Sequence, residues 1–354
     1  MVIGISRQLK ERDWDVQTAF PGTDRFDALF SWARYFGVKA EKAPASLLWN
    51  MPRSRSRIAE LARFIRKSDA EIVNIHNGVS HASWKDVLAA RLAGKRTVTS
   101  IHGSRGLDPA TEQRQVKATR LAATLSESVV VVTEWSRNNL IDCGLPAKKV
   151  KVVPCGLPVP DTIPEKAAAR AKFGVDDDAF VLTTAARMVP EKGIGDFVEA
   201  AGRLSDPKEN LQVLAAGIGD HKDEFEARGK QLLGEKARFL GHVEDVSSLY
   251  AATDVFVLAT HAENCGLVYR EAALHGIPVI GTAVGGNRET ILDGKTGLIV
   301  PPQDVEALAG AMARLRDDPA LRRQLGSQAR ERAMVEFTEK AMAERYEKVF
   351  RYAA

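Results

Sequence analysis

The chain has 354 residues, of which 45% are apolar and 27% are charged, and its formal net charge is +4. This length exceeds the usual size of one hydrophobic core and predicts two domains, while the composition excludes a disordered or fibrous chain. Residues 1–156 contain 25 Lys and Arg and 15 Asp and Glu, whereas residues 157–354 contain 25 and 31. The basic first part either has an ordinary solvated surface or meets an anionic partner, such as a phospholipid, a phosphorylated acceptor or nucleic acid.

The first twenty residues predict a helix and then a strand, because Val2, Ile5 and Leu9 recur at helical spacing and residues 15–20 read as extended. Short apolar runs follow between longer helical stretches, at 71–78, 97–103, 128–133, 151–156, 180–187, 211–217, 237–243, 254–260, 277–283 and 297–302. Nearly continuous apolar runs are typical of strands that are covered on both faces. Their alternation with helices predicts α/β domains with parallel sheets.

A proline-rich segment predicts the domain boundary near Gly156. Four prolines lie within residues 154–164, where the charge balance also changes sign. We therefore expect one domain over residues 1–156 and a second from residue 157, two doubly wound units that face each other across a cleft. Ligands of such sheets bind beyond the carboxyl ends of the strands.

The cysteines and the apolar runs indicate a cytoplasmic protein. Cys143, Cys155 and Cys265 are odd in number and far apart, without the spacing of a disulfide framework or a zinc site. The first apolar run has only five residues, too few for a secretory signal, and no later window approaches 18. Any contact with a membrane is therefore expected from the side.

Residues 261–276 combine two carboxylates with a glycine that opens a helix. The strand at 254–260 leads through a loop to Gly266, and the helix that follows stops at Gly276. The free amides at a helix N-terminus bind phosphate, and Glu263 and Glu271 on either side of it can accept hydrogen bonds from sugar hydroxyls. The plainer alternative is an acidic pair that the helix dipole alone favours.

A pair of cations belongs to the same predicted sheet edge. Arg187 ends the strand at 180–187, and Lys192 precedes the glycine-opened helix that starts near residue 193. By itself this is another exposed Arg and Lys pair. Together with the helix at Gly266 it describes a pocket for a nucleotide diphosphate, neutralised by a planar guanidinium and a point charge.

Residues 252–312 resemble the donor-binding core of the group 1 glycosyltransferases, which are retaining enzymes of the GT-B fold. The E-x7-E pair, the strand "GIPVI", the turn "GGNRE" and the ending "GLIVPPQD" all match in order. The resemblance covers nearly the whole chain, most strongly residues 180–335. It implies two Rossmann-like domains, with the acceptor bound by residues 1–156 and a nucleotide-diphosphate sugar bound by residues 157–335.

The resemblance assigns the donor-binding roles. Arg187 and Lys192 would hold the diphosphate, the amides near Gly266 and Leu267 would cap it, and Glu271 would bind the ribose. The positive groups would stabilise charge on the departing nucleoside diphosphate, so that neither a metal nor a cofactor is needed. The D-x-D candidates at 13–15 and 176–178 read as turns beside strands.

The remaining site residues also come from the resemblance. Glu263 would lie beside the transferred sugar, and His102, after the strand at 97–103, would hydrogen-bond a sugar hydroxyl or help to accommodate the proton of the acceptor. Further positions that complete the pocket less directly are Gly285, Gly286 and Glu289. His76 is a weaker candidate, and His261 reads as a surface neighbour of the loop. Retention would come from assistance by the leaving phosphate, since Glu271 is committed to the ribose and no carboxylate pair flanks one bond.

The two ends of the chain carry expectations of their own. Residues 336–354 predict a helix with a stripe of Ala341, Tyr346, Val349 and Phe350, which either ends the second domain or, as in the family, crosses back to the first. The family's opening strand and Gly-rich turn, which line the acceptor side, are missing before residue 15. Either Met1 is an internal methionine of a longer protein, or this copy is impaired.

The acceptor is expected to be a cell-envelope glycan or a lipid-linked molecule. Residues 46–68 combine Trp49 and Met51 with several basic residues, a pattern that suits either an anionic lipid surface with a lipopolysaccharide-type acceptor or a solvated helix face. The alternatives to a transferase are a non-catalytic binder of nucleotide sugars and an epimerase of the same fold. Nucleic-acid binding is not expected, because interleaved aromatic residues are lacking.

Overall fold

The computed structural model describes residues 1–21, 27–44, 55–77, 83–103, 109–204 and 210–353. The chain forms two compact units. The N-terminal unit consists of Met1–Pro158 with Glu336–Ala354, and the C-terminal unit of Val159–Val335. The division thus follows Pro158, two residues after Gly156, and the last segment of the chain belongs to the N-terminal unit.

The elements of the N-terminal unit alternate between helix and strand. They are α1 (Val2–Lys10), β1 (Thr18–Pro21), α2 (Asp27–Tyr35), β2 (Ala40–Ala43), α3 (Arg55–Arg66), β3 (Ile72–Asn77), α4 (Trp84–Leu92), β4 (Arg96–Ile101), α5 (Pro109–Leu125), β5 (Ser128–Val131), α6 (Glu134–Asp142), β6 (Val150–Val152) and, at the end of the chain, α15 (Glu339–Ala353).

The C-terminal unit repeats this alternation. Its elements are α7 (Lys166–Phe173), β7 (Phe180–Ala185), α8 (Ile194–Arg203), β8 (Leu211–Ala216), α9 (Lys222–Leu233), β9 (Ala237–Gly241), α10 (Val246–Ala252), β10 (Val255–Leu258), α11 (Leu267–Leu274), β11 (Val279–Thr282), α12 (Asn287–Thr290), β12 (Gly297–Val300), α13 (Val305–Asp317) and α14 (Pro319–Glu336). Several helices start at a side-chain cap, as at Asp245 and Asp304, whose carboxylates accept a backbone N–H of the first turn.

Parallel pairing forms both sheets of the N-terminal unit. The strands β3, β4, β5 and β6 pair in chain order, and β1 pairs with β2 in a separate two-stranded sheet. One face of the larger sheet, with Val98 and Val130, packs against α1 and α15, and the other, with Val129 and Val131, packs against α4 and α5. The sheet is therefore covered on both faces.

The sheet of the C-terminal unit has six parallel strands in the order β12-β11-β10-β7-β8-β9. Leu182, Val213 and Val257 face α8 and α13, whereas Val181 and Leu214 face α7 and α10. The order runs outward from the centre in both directions, so the topological switch point lies between β7 and β10. This is the doubly wound arrangement that the sequence predicts, and its ligand crevice opens at the switch point.

The predicted elements agree with this architecture. All ten apolar runs overlap a strand, and the chain begins in α1 as its helical spacing predicts, with β1 starting at Thr18. Helix α15 buries Tyr346, Val349 and Phe350 as expected. The stripe begins at Met342 rather than Ala341, because Met342 lies one turn before Tyr346. Within the described ranges no helix is both long and apolar enough to cross a membrane.

Candidate functional site

The loops that follow β7 and β10 leave the same edge of the C-terminal sheet. These two strands pair directly, through Val255 with Leu182 and Phe256 with Thr183. The chain then continues to opposite sides of the sheet, which opens a crevice between the two loops. The loop after β7 carries Lys192, and the loop after β10 carries Glu263.

Backbone contacts fix the loop after β7 against the end of β10. A short 3-10 turn, Pro190–Lys192, ends at Gly193, which caps α8. The carbonyl of Glu191 accepts hydrogen bonds from the amide of His261 (2.8 Å) and the hydroxyl of Thr260 (3.0 Å). Gly193 has φ +65°, and a Cβ there would lie 1.9 Å from the carbonyl oxygen of Ala259. Only glycine allows this approach, which sets the position of Lys192.

Lys192 and Glu263 form an ion pair across the crevice. The distance from Nζ to Oε2 is 2.8 Å, and the side chains are only 16% and 18% exposed. Burial alone would raise the pKa of Glu263, but the attraction of Lys192 and the hydrogen bonds from Lys192 and from the amides of Asn264 and Gly266 together lower it below its usual value. Glu263 is therefore held as a carboxylate at neutral pH.

The start of α11 provides the predicted group of helix amides. Gly266 is its N-cap, and Leu267, the first helical residue, is 38% exposed. The ring of Tyr269 anchors this turn, because its hydroxyl donates to the carbonyl of Leu258 at 2.7 Å. Glu263 thus lies between the Lys192 ammonium group and the N-terminus of α11.

Glu271 lies in α11 and contacts a residue that the sequence did not indicate. The buried hydroxyl of Tyr250 donates to Oε2 of Glu271 at 2.8 Å, and the Tyr250 ring stacks on His275 with 4.9 Å between ring centroids. Burial raises the pKa of Glu271 even though the Tyr250 hydrogen bond lowers it. Oε1 has no hydrogen-bond partner in the described part of the chain. Position 250 reads simply as a core position of α10, so no sequence signal identifies it.

The glycine pair at 285–286 supports the loop of Glu263 from behind. Gly285 has φ +50°, and a Cβ there would lie 1.7 Å from the carbonyl oxygen of Glu263, so a side chain cannot fit. The amide of Gly286 donates to the carbonyl of Asn264 at 3.1 Å. The carbonyl of Glu289 accepts from Arg332 at 2.6 Å, which attaches the following turn to α14.

Arg187 and His261 lie at the margin of this cluster. The guanidinium of Arg187 is 57% exposed and its Nη2 lies 3.4 Å from Oε1 of Glu191, so the structure does not bring it into contact with the Lys192 and Glu263 pair. His261 lies in the loop as expected, and its Nε2 is 2.7 Å from Asp196 on α8.

His102 belongs to the N-terminal unit, where it follows β4. Its Nε2 lies 2.8 Å from Nδ1 of His76, which is near the end of β3, and the two rings stack with their planes 11° apart. Asn74 donates its side-chain amide to Nε2 of His76 at 2.9 Å. Burial, and after it the neighbouring His102, lower the pKa of His76 well below its usual value, so His76 is neutral at pH 7.

The acidic turn at 176–178 supports the structure of the C-terminal unit. Asp176 accepts from the side chain of Gln212 at 2.7 Å, and Asp178 accepts from Asn210 at 2.8 Å. Among the residues that the structure describes, no three His, Cys, Asp or Glu side chains cluster as metal ligands.

Comparisons with known proteins decide the family. The family profile described as "Glycosyl transferases group 1" matches residues 165–332, and that described as "Glycosyltransferase Family 4" matches residues 1–159. An alpha-D-kanosaminyltransferase from Streptomyces kanamyceticus is 30% identical over 313 residues, which cover 83% of this chain and 78% of that protein. The chain belongs to the group 1 glycosyltransferases. This glycosyltransferase also resembles a GDP-mannose-dependent monoacylated alpha-(1-6)-phosphatidylinositol monomannoside mannosyltransferase from Corynebacterium glutamicum, with 25% identity over 97% of this chain and 92% of that protein.

Solved structures show the fold of this glycosyltransferase. Anabaena HepE in complex with UDP superposes with a TM-score of 0.83 at 21% identity, over 99% of this chain and 94% of HepE. Both Rossmann-like units are therefore those of the GT-B fold.

Proposed function

We propose that this glycosyltransferase moves a sugar from a nucleotide-diphosphate sugar to a cell-envelope glycan or lipid-linked acceptor, with retention of the anomeric configuration and without a metal ion. The observation that carries the proposal is the meeting of Lys192, Glu263 and the N-terminus of α11 at the switch point of the C-terminal sheet. A cation next to helix amides is the arrangement that binds a diphosphate.

The donor would enter with its diphosphate at Lys192 and the first amides of α11, including those of Gly266 and Leu267. Arg187 is exposed at the rim, from which its long side chain can reach a phosphate oxygen. These positive groups stabilise the charge that develops on the nucleoside diphosphate as the bond to the sugar breaks, which is the reason for proposing a metal-independent reaction.

Glu271 would accept hydrogen bonds from the ribose hydroxyls. Tyr250 supports this role, because it holds one carboxylate oxygen and leaves the other to a ligand. A fixed rotamer lowers the entropy that a side chain loses on binding. Tyr250 is therefore proposed as a positioning residue for the ribose.

Glu263 is proposed to lie beside the transferred sugar without acting as a nucleophile. Its carboxylate is already engaged by Lys192 and two amides, which stabilise its charge and reduce its nucleophilicity. Glu271, with its own partner Tyr250, is assigned to the ribose. Retention is then expected through the leaving phosphate, with His102 as a hydrogen-bonding partner of a sugar or acceptor hydroxyl.

The proposed acceptor class rests on charge and on one relative. The name of the mannosyltransferase from Corynebacterium glutamicum includes a phosphatidylinositol monomannoside, which is a lipid. In this chain the N-terminal unit has ten more basic than acidic residues, and Arg63, Arg66 and Lys67 are exposed at the end of α3. Trp49 and Met51 lie outside the described residues. The basic surface suits a phosphorylated or membrane-bound acceptor at the inner face of the membrane.

The experiment is a turnover assay with radiolabelled nucleotide sugars and a cell-envelope extract. The proposal predicts that nucleoside diphosphate is released while label enters the extract. It also predicts that the new glycosidic bond has the same anomeric configuration, axial or equatorial, as the sugar in the donor. Label that stays on the protein without release of nucleoside diphosphate would show a binder, and inversion of configuration would contradict the proposed course.

A further inference from the structure

A chain of hydrogen bonds leads from α15 to His102. The hydroxyl of Tyr346 lies 3.0 Å from the hydroxyl of Ser100, which lies 2.9 Å from Oδ1 of Asn74. The side-chain nitrogen of Asn74 lies 2.9 Å from Nε2 of His76, and Nδ1 of His76 lies 2.8 Å from Nε2 of His102. Four contacts thus connect helix α15 with the ends of two adjacent strands.

The buried end of this series of hydrogen bonds fixes which group donates and which accepts in each of them. Tyr346 and Ser100 are both fully buried, and the hydroxyl of Ser100 is the only hydrogen-bond partner that the described residues offer to the Tyr346 hydroxyl. A buried O–H without an acceptor is strongly disfavoured, so Tyr346 donates to Ser100. The single proton of Ser100 then goes to Oδ1 of Asn74.

The orientation of Asn74 then fixes which ring nitrogens of His76 and His102 donate and which accept. With its oxygen toward Ser100, Asn74 presents its NH₂ group to His76, so Nε2 of His76 must accept. A neutral imidazole that accepts at one nitrogen carries its proton on the other. Nδ1 of His76 therefore donates to Nε2 of His102, and the proton of a neutral His102 is left on Nδ1. The lowered pKa of His76 keeps it in the neutral form that this relay needs.

We propose that Ser100, Asn74 and His76 form a one-way hydrogen-bond relay that holds a neutral His102 as its Nδ1–H tautomer. Asn74 and His76 are then positioning residues for His102. The relay itself follows from the geometry, whereas its use in sugar transfer rests on the proposed function.

Nuclear magnetic resonance of the full chain with ¹⁵N-labelled histidine tests the relay without any substrate. A protonated and a bare ring nitrogen have well-separated ¹⁵N shifts, and the loss of one signal set in His102→Gln identifies His102 among the seven histidines. The wild-type protein is expected to show the Nδ1–H tautomer. Asn74→Leu and Ser100→Ala each remove the group that imposes direction, and each is expected to give a mixture of both tautomers.

A neighbouring residue supplies a matched control. Thr99 precedes Ser100 on β4 and its hydroxyl lies 2.7 Å from that of Ser126, outside the relay. Thr99→Val removes a buried hydrogen bond as Ser100→Ala does, but it is expected to leave the tautomer of His102 unchanged. An Nε2–H tautomer in the wild type, or an unchanged tautomer in both relay variants, would overturn the proposal, as would an equal shift in Thr99→Val.

Kinetics of the same variants separate the relay from the function. Asn74→Leu is expected to reduce kcat by about tenfold, which is less than the hundredfold that an acid–base group usually contributes, because Asn74 acts only through His102. The KM for the donor is expected to change little. If the tautomer shifts while transfer is unchanged, the relay stands and the role of His102 in the proposed reaction is wrong. If transfer occurs in a wild type whose His102 is the Nε2–H tautomer, the proposed function stands and the relay is wrong.

Discussion

At the scale of single residues, Glu263 contacts the same groups that we propose for the diphosphate of the donor. Its carboxylate binds Lys192 at 2.8 Å and accepts hydrogen bonds from the amides of Asn264 and Gly266. The proposed diphosphate needs the same cation and the same end of α11. We therefore propose that Glu263 competes with the diphosphate for these groups and also lies beside the transferred sugar, and experiment can separate the two proposed roles.

Glu263→Gln is expected to bind free nucleoside diphosphate more tightly, by about three- to tenfold, because the substitution removes a negative charge beside the phosphate position and releases Lys192. Sugar transfer by the same variant is expected to fall. Titration calorimetry with the nucleoside diphosphate measures the affinity. Glu306→Gln removes an equally negative but exposed side chain from the same unit and serves as the control. Weaker binding by Glu263→Gln would refute the competition.

Glu271 is expected to lower the stability of the protein at neutral pH. Burial raises its pKa in the folded chain, so the folded state binds the proton more tightly than the unfolded state does. The contribution of Glu271 to stability is then most favourable below the ordinary pKa of 4.5 and declines as the pH rises through the raised value. At pH 7 the charged and partly buried carboxylate opposes folding.

Glu271→Gln is therefore expected to increase the free energy of unfolding of the C-terminal unit at pH 7 by about 0.5–2 kcal/mol, the usual gain from one stabilising substitution. Most of the gain should be lost near pH 4, below the ordinary pKa of 4.5, because most of the glutamate is then protonated in both states. Urea unfolding at the two pH values measures this difference. A variant that is less stable than the wild type at pH 7 would show that the carboxylate stabilises the fold.

At the scale of elements, the strands could be predicted because each central strand is covered on both faces. That burial demands nearly continuous apolar runs, and all ten such runs overlap strands. The strand β2 was missed because its residues, Ala40–Ala43, include two charged side chains and form no apolar run. Its conformation follows from pairing with β1, which is a tertiary contact.

The candidate site was predictable in its residue types and only partly in its contacts. Motif spacing identifies Lys192 and Glu263, which lie in loops that follow strands, and Glu271, which lies about one turn into a helix. Their partners come from packing: 71 residues separate Lys192 from Glu263, and 21 separate Tyr250 from Glu271. No periodic pattern encodes such distances along the chain.

The start of α8 allows a test of how the two loops are held together. Gly193→Ala places a Cβ 1.9 Å from the carbonyl oxygen of Ala259 and also strains a backbone with φ +65°. We expect a loss of more than about 2 kcal/mol in the free energy of unfolding, since left-handed strain alone costs about 1–2 kcal/mol. Chemical denaturation measures the loss, and weaker binding of nucleoside diphosphate should accompany it.

Gly294→Ala is the matched control for this variant. Gly294 has a similar φ of +69°, but a Cβ there meets nothing within 4 Å. Its substitution is expected to lower the free energy of unfolding only by the strain of the left-handed backbone, and to leave nucleotide binding unchanged. Equal losses in the two variants would show that the contact with Ala259 does not position the loop.

At the scale of the whole molecule, the positive charge is concentrated in one of the two units. Residues 1–156 carry ten more basic than acidic residues, and Glu336–Ala354 adds four of each. The C-terminal unit is net acidic. The exposed end of α3 contributes Arg63, Arg66 and Lys67 to the basic unit, which makes this surface the proposed contact with anionic lipid.

The triple variant Arg63→Gln, Arg66→Gln and Lys67→Gln is expected to bind vesicles that contain phosphatidylglycerol at least about tenfold more weakly, since each basic residue near such a surface is worth about 1 kcal/mol. Co-sedimentation at increasing salt measures the partition, and salt should weaken the binding of the unmodified chain as well. The control replaces the exposed Lys230, Arg314 and Arg323 of the acidic unit. Equal effects of both triple variants, or equal binding to neutral vesicles, would contradict a specific lipid surface.

Titration calorimetry most directly tests whether Lys192 and the N-terminus of α11 bind a diphosphate. The unmodified chain and Lys192→Ala are each titrated with UDP, GDP, ADP, CDP and dTDP. We predict that at least one of these binds the unmodified chain, and that Lys192→Ala weakens it by about 10- to 100-fold, the loss expected for a hydrogen bond to a charged group. No binding to any of them, or the same affinity in Lys192→Ala, would contradict the claim.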